Sequence, residues 1–349
     1  MCDLNKTGQG QVVCFMWHEG QGRRGSNEIG SCLLKYLEYK ASAQENVEVV
    51  FYSDNCAGQQ KNKFILAAYF YALSKYNIKS ITHKYLITGH TQNEGDNVHS
   101  VIEKHVKRAL KSGPIYTPDQ YVSLVQTAKK TGLPYKVQEM SYADFVDLKK
   151  LSEQTSFNFK KDSSGEVVKL ANAAIIRIEK ENLDKFLYKT SYSEPEYRVV
   201  EIKQRTTRTN QTFDNVKLEP AYRDILPISK KKYDGLMFLL RMNTIKKCYS
   251  PFYNSLKNIF CMNSPVESCQ CSLYGNDSEK YAGCGRPREQ LTNGFLARKK
   301  EFPACVLAPH KNNSKQKSSV VSTTLKVYVH TELYGDMILC GTESRSFLE

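Results

Sequence analysis

Residues 11–110 alternate between short apolar runs and amphipathic segments, and this alternation constrains the fold more than any other feature of the sequence. The clearest run, Val47–Ser53, has the β-branched and aromatic composition of a buried strand. We predict strands at 11–17, 47–53 and 78–87, and helices at 26–37, 60–76 and 91–110. Strands that alternate with helices in this way indicate an α/β sheet flanked by helices.

The pattern changes after Gly113, where a second unit is expected. Thr117 and Pro118 mark the start of one helix, and Leu133-Pro134 closes the segment that follows. We predict strands at 136–140, 167–178 and 197–203, and helices from Ser141 and over 229–240. We therefore divide the chain into an α/β core at 1–112, a smaller basic α+β unit at 113–257, and a tail at 258–349 that we expect to be poorly ordered.

The chain of 349 residues carries a formal net charge of +14, which favours a polyanionic partner such as DNA or RNA. Its start lacks the apolar core of a signal peptide, and no segment approaches the ~20 apolar residues of a membrane span. We expect an intracellular, nuclear protein without a membrane partner. The eleven cysteines should then be reduced rather than paired.

A polar run, residues 53–63, follows the strand Val47–Ser53 directly. Ligands gather at the carboxyl ends of strands in open α/β sheets, so Asp54 is a candidate functional residue. Capping of the next helix is the structural alternative for this aspartate. A nucleophilic role for Cys56 with a distant histidine is a much weaker hypothesis.

The helix predicted from Thr91 carries a second polar group. Asp96, His99 and Glu103 stand at i, i+3 and i+7, which places them on one helical face. This face either binds a metal or a proton, or is simply solvated. His90 lies just before the helix and gains interest from its nearness to Asp96.

Carboxylates from separate segments are what two-metal phosphoryl chemistry requires, around ions ~4 Å apart. Asp3 precedes the first predicted strand, and Glu19 follows it. We therefore predict that Asp3, Asp54 and Asp96 hold Mg²⁺ or Mn²⁺, ions that prefer oxygen ligands, with Glu103 as the competitor for the third place. Glu19, His90 and His99 would support the site.

Zinc is not expected. The tail holds Cys269 and Cys271 with a single residue between them, whereas zinc sites usually separate such a pair by two to four residues.

Three long motifs resemble an uncharacterised domain that is abundant in insects, cnidarians and other animals. They are Trp17-His18-Glu19-Gly20 with Glu28-Ile29-Gly30-Ser31-Cys32-Leu33, Ser53-Asp54-Asn55-Cys56-Ala57-Gly58-Gln59-Gln60-Lys61-Asn62, and Gly89-His90-Thr91 with Asp96, His99-Ser100 and Ile102-Glu103. The resemblance runs from Asp3 to about Tyr253. It implies a transposon-derived protein with a transposase-like or nuclease-like RNase H core.

An RNase H-like fold carries its first carboxylate on the first strand, its second at the end of the fourth, and its third on a helix after the fifth. Asp3, Asp54 and Asp96 fit that order, but the residues that should form the central first strand are missing before Asp3. We expect an N-terminal truncation. The slot between 11–17 and Val47–Ser53 should then be empty, filled by the stub 1–6, or closed by direct pairing of its neighbours.

Two functions follow from this resemblance. The favoured one is a metal-dependent nuclease or strand-transferase acting on DNA or RNA; the alternative is an inactive, domesticated protein that binds nucleic acid or serves as a scaffold. A small-molecule phosphate hydrolase is a weaker third reading. The expected phosphate contacts are Lys61, Lys63, Arg205, Arg208, Lys230, Lys231 and Lys232.

Overall fold

The two longest strands, β3 (Val47–Ser53) and β4 (Ile78–Tyr85), pair in parallel at the centre of a mixed sheet. The computed structural model describes residues 1–4, 10–87, 94–202 and 211–257, and the backbone of 320–324. These residues fall in a compact unit formed by 1–262 and 318–349, whereas a second unit, 263–317, lies outside them. The mixed α/β class expected from the sequence is confirmed.

Seven strands form the main sheet, and five of them flank the β3–β4 pair. They are β1 (Cys2–Leu4), β6 (Ile175–Glu179), β7 (Lys185–Lys189), β8 (Arg198–Glu201) and β9 (Val320–Thr324). The order is β1-β9-β3-β4-β6-β7-β8. β9 runs parallel to β3 and antiparallel to β1, and the pairs from β4 to β8 are antiparallel.

A two-stranded parallel sheet lies beyond β1. It pairs β2 (Val13–Met16) with β5 (Lys136–Glu139). A single antiparallel bridge between Cys2 and Val12 links it to β1, together with the hydrogen bond from the Val13 amide to the Met1 carbonyl at 2.8 Å. The described strands thus continue from β5 to β8 as one hydrogen-bonded surface.

Seven α-helices are present in the described ranges, with four short 3₁₀ turns between them. They are α1 (Ser26–Ala43), α2 (Lys63–Lys75), α3 (Glu94–Ser112), α4 (Pro118–Thr127), α5 (Leu148–Gln154), α6 (Lys230–Arg241) and α7 (Ser250–Asn254). None of these helices combines the length and apolarity that a bilayer crossing requires.

The main core lies where α1, α2 and α5 cover one face of the sheet. Phe51, Phe70 and Phe186 are fully buried in it, and alternate β3 residues point into it. A second buried cluster packs α3 and α4 against β1, β2 and the residue before β5, Tyr135. Ile102 of α3 and Val125 of α4 belong to it. A third, smaller cluster holds α6 and α7 together.

Two features differ from the sequence expectations. The strands of 113–257 do not build a sheet of their own: β6, β7 and β8 extend the sheet that β3 and β4 begin, and β5 pairs with β2. The slot between β2 and β3 is neither empty nor closed by direct pairing of its neighbours: β1, from the stub 1–6, lies next to β2, and β9, from the tail expected to be poorly ordered, lies between β1 and β3. Only β9 of the tail lies within the described residues.

Candidate nucleic-acid interface

The loop 54–62 leads from the end of β3 into α2, and backbone hydrogen bonds fix its shape. The Cys56 carbonyl accepts from the amides of Gln59, Gln60 and Lys61 at 3.3, 3.0 and 3.1 Å. Asn62 caps α2, its Oδ1 accepting from the Phe64 and Ile65 amides at 3.0 and 3.1 Å. Much of this motif therefore serves the strand-to-helix turn, and the capping residue is Asn62 rather than Asp54.

Asp54 is half-buried at the carboxyl end of β3, and its carboxylate accepts a hydrogen bond from the Gln60 side-chain amide. Gln60 is only 1% exposed, and its Oε1 has no hydrogen-bond partner among the described residues. The amide nitrogen must face the carboxylate, so the carbonyl of this side chain points away from Asp54. The loop thus contains a buried acceptor that the described chain does not satisfy.

Lys61 lies beneath the loop and is 4% exposed. Its Nζ donates to the Asn55 Oδ1 and the Ala171 carbonyl, both at 2.7 Å, and lies 4.8 Å from the Tyr85 ring centroid. In the described part of the chain it forms no ion pair with a carboxylate. Burial lowers its pKa to about 8. Lys61 is therefore a buried cation and not the surface phosphate contact expected from the sequence.

His83 is fully buried next to this lysine, on β4. Its Nε2 lies 2.8 Å from the Ser53 Oγ, and its Nδ1 lies 2.9 Å from the Tyr69 hydroxyl. Burial, with a smaller contribution from the Lys61 charge, lowers the pKa of His83 to about 3. The imidazole is neutral at physiological pH and holds the end of β3 against α2.

Asp3 is engaged at a different place in the sheet. It lies on β1 opposite Thr323, and its carboxylate accepts from the Tyr36 hydroxyl and from Lys40 Nζ, the latter at 2.5 Å. Both partners belong to α1. These contacts hold α1 against β1.

The predicted acidic face of α3 is present, with Asp96 half-buried in the first turn. His99 Nδ1 lies 3.5 Å from Glu103 Oε1, and Lys107 Nζ lies 3.5 Å from Glu103 Oε2. Glu19 forms an ion pair with Lys232 at 2.6 Å instead of joining these residues. His90 lies outside the described residues.

No three His, Cys, Asp or Glu side chains come together as metal ligands within the described ranges. Asp3, Asp54 and Asp96 are each half-buried, but they do not make such a group with one another or with Glu103. The described residues therefore do not fit a Mg²⁺ or Mn²⁺ centre by themselves. A metal site stays a prediction.

Several basic residues chosen from the sequence are at the surface. Lys63, Lys230 and Lys231 are exposed, whereas Lys232 is engaged with Glu19. Arg205 and Arg208 lie outside the described residues.

A basic surface that the sequence reading missed lies on α3. Its four members are exposed and follow the spacing i, i+3, i+4 and i+7, so they share one side of the helix: Lys104, Lys107, Arg108 and Lys111. We call this set the α3 basic face. The signal that could have found it is this spacing, which the sequence itself shows.

Glu28 and Gly30, which belong to the first of the three motifs, have structural roles. Glu28 is 1% exposed, and its carboxylate accepts from the Arg23 and Gly25 amides at 3.0 and 2.9 Å, which fixes the start of α1. A Cβ on Gly30 would come within 2.2 Å of the Leu148 side chain, so glycine allows α1 to approach α5 closely. These residues build the fold rather than a site.

Comparison with known proteins gives one match. No curated protein and no solved structure matches the chain. Residues 4–175, just under half of the chain, match the model of a family described as "Domain of unknown function (DUF7869)". The matched stretch extends from β1 to the start of β6 and contains all three motifs. This part of the chain is therefore similar to an uncharacterised domain family.

Proposed function

We propose that this chain is a nucleic-acid-binding protein built on an RNase H-like sheet, and that the α3 basic face contacts the phosphate backbone. The observation that carries the proposal is this row of four exposed cations. Positions 104 and 111 are ~10 Å apart along the helix axis. A ridge of this kind can neutralise consecutive phosphates of one strand.

The strand arrangement supports the RNase H-like part of the proposal. β9 lies between β1 and β3 and runs parallel to β3. In an RNase H-like sheet the central first strand has this position. The helix order also agrees, since α1 precedes β3, α2 lies between β3 and β4, and α3 follows β4.

Binding without turnover is favoured by the state of the candidate acids. Asp3 is bound by Lys40 and Tyr36, and the two carboxylate oxygens of Glu103 lie 3.5 Å from His99 Nδ1 and from Lys107 Nζ. This agrees with a domesticated, transposon-derived protein that retains the fold and the charge. A chromosomal DNA target would place such a protein in the nucleus.

Salt dependence tests the binding proposal, with Lys104, Arg108 and Lys111 all replaced by Gln. Each phosphate contact contributes about −0.9 to the slope of log affinity against log salt on duplex DNA, so the slope should become shallower by about 3. Fluorescence anisotropy with a labelled duplex at several salt concentrations measures it.

The matched control replaces three exposed lysines elsewhere, Lys149, Lys160 and Lys161, by Gln, so that net charge falls equally. Its slope should remain close to wild type. Equal slopes for both triple variants would refute the role of the α3 basic face, and salt-independent binding by wild type would refute the function.

A second candidate function is metal-dependent cleavage or strand transfer, and the position of Asp54 at the end of β3 favours it. Labelled DNA and RNA are incubated with Mg²⁺ or Mn²⁺ and either wild type or Asp54→Asn. Cleavage that disappears in the variant would establish this candidate over pure binding. Cleavage of equal rate in both proteins would reject Asp54 as a ligand.

A further inference from the structure

One face of the sheet between β3 and β7 is not covered by either of the two buried clusters that flank the sheet. Strand register places Tyr52 opposite Lys84, Lys84 opposite Ile175, and Ile175 opposite Lys189. Side chains alternate along strands, so this row faces away from Phe51 and the main core. We call these four residues the open row: Tyr52, Lys84 and Lys189 are half-buried, and Ile175 between the two lysines is 7% exposed. The row lies at the end of the sheet where β3 reaches Asp54.

Tyrosine rings and lysine ammonium groups are paired along the open row. Lys84 Nζ lies 5.2 Å from the Tyr52 ring centroid, and Lys189 Nζ lies 4.4 Å from that of Tyr197. Tyr192, in the loop after β7, is 42% exposed and donates a hydrogen bond to the Tyr85 carbonyl at 3.0 Å. Burial and the neighbouring Tyr52 hydroxyl raise the pKa of Tyr192.

Charge is unevenly distributed on this face. The acids Glu48 and Glu179 lie at the opposite end of β3 and β6, where Lys79 and Arg177 pair with them at 2.9 and 2.8 Å. Glu194, nearer the tyrosines, accepts from the Thr190 amide at 3.0 Å and has Arg198 at 3.5 Å. Among the described residues neither Lys84 nor Lys189 forms an ion pair with a carboxylate, and Lys189 Nζ donates to the Glu194 and Pro195 carbonyls at 2.7 and 3.1 Å.

We propose that the open row, with Tyr192 and Tyr197, binds single-stranded nucleic acid by stacking bases on the tyrosines and pairing phosphates with Lys84 and Lys189. The inference rests on the proposed nucleic-acid binding and names the strand state recognised. Every base has a π-face, so stacking of this kind tolerates any sequence.

Geometry favours a single strand over a duplex at this surface. Neighbouring strands are ~4.8 Å apart, so the row from Tyr52 to Lys189 spans ~14 Å. A major groove admits a helix or a two-stranded ribbon, and the broad face of a multistranded sheet does not enter it. Unpaired bases, in contrast, can spread out over such a face.

The test compares wild type with Tyr192→Ala and Tyr192→Phe in the full chain. The probe is a labelled mixed-sequence single strand of about 20 nucleotides, long enough for typical single-strand sites, and the same sequence as a duplex. Tyr39→Ala is the matched control, because Tyr39 is 46% exposed with Lys136 Nζ 4.9 Å from its ring, but belongs to α1. Circular dichroism checks that each variant is folded.

Tyr192→Ala should weaken single-strand binding about tenfold, whereas Tyr192→Phe and Tyr39→Ala remain within about twofold of wild type. Duplex binding should be unchanged in all three. Single-strand affinity that survives Tyr192→Ala, or falls equally for duplex, would overturn the inference while leaving nucleic-acid binding intact. Absence of any binding by wild type would instead refute the proposed function.

Discussion

The two faces of the sheet are made by neighbouring residues of the same strands, yet they have opposite character. Phe51, fully buried, stacks on Tyr69 with ring centroids 5.8 Å apart, whereas Tyr52 lies half-buried beside Lys84. On β7, Tyr188 belongs to the core and Lys189 to the open row. The comparison indicates that one set of positions holds the fold, and the binding proposed above rests on the alternate set.

The strongest test of this division replaces Phe51 or Tyr52 by Ala. Phe51→Ala should reduce the free energy of unfolding by about 3–5 kcal/mol, because it leaves a cavity in the covered face. Tyr52→Ala should cost only about 0.2–1 kcal/mol, the usual contribution of a cross-strand pair. Urea unfolding of both variants measures the difference. Similar losses would mean that the second face is packed after all.

A second test extends the comparison to β9, which pairs with β1 on one side and with β3 on the other. β1 contributes to the cluster of α3 and α4, and β3 contributes to the main core. Ser322→Pro removes a backbone donor in an interior strand, a position where proline is not tolerated. We expect a loss of about 1–3 kcal/mol, the cost of one unpaired buried group, in urea unfolding.

Ser322→Ala keeps the backbone donor and is the control; it should cost less than Ser322→Pro. If Ser322→Pro left the urea midpoint unchanged, another segment of the chain would have to close the slot between β1 and β3.

The third test concerns pH and reports on the covered face only. Folded His83 binds a proton near pH 3, and unfolded histidine near pH 6.5, so the unfolded state gains protons first as pH falls. The stabilising contribution of the neutral imidazole is complete above about pH 6.5 and decreases below it. Between pH 6.5 and 5.5 the loss should be about 1 kcal/mol.

The measurement compares urea unfolding of wild type and His83→Gln at both pH values. The variant should lose less stability than wild type over this interval. A pH dependence that is identical in the two proteins would show that His83 is protonated in the folded state as readily as in the unfolded chain.

The sequence predicted those strands and helices whose bounds are set by their own residues and by the turns next to them. The strand Val47–Ser53 has the predicted bounds, because a continuous β-branched and aromatic run ends at a polar turn. Helix α1 begins at Ser26 as expected and continues to Ala43. The helix expected from Ser141 is instead a 3₁₀ turn followed by α5 at Leu148.

Elements whose formation depends on distant partners were not predicted. β7 was missed because it presents only Phe186 and Tyr188 to the core. β9 was missed because nothing near Val320–Thr324 in the sequence indicates that its partners lie at Cys2–Leu4 and Val47–Ser53.

The candidate binding residues also include some that local sequence predicts and some that depend on distant partners. The α3 basic face could be read from residue spacing, since a helix converts spacing directly into a shared side. The open row could not, because it depends on the register of three successive strand pairs. The burial of Lys61 was equally invisible, since lysine is seldom placed inside a protein.

The position of β9 also has a consequence for synthesis on the ribosome. β3 leaves the ribosome about 270 residues before β9 does, which corresponds to roughly 14–54 s at about 5–20 residues per second. During that time the edges of β1 and β3 present unpaired backbone groups to their surroundings. A nascent chain of this kind is a natural client for a chaperone that shields strand edges until translation is complete.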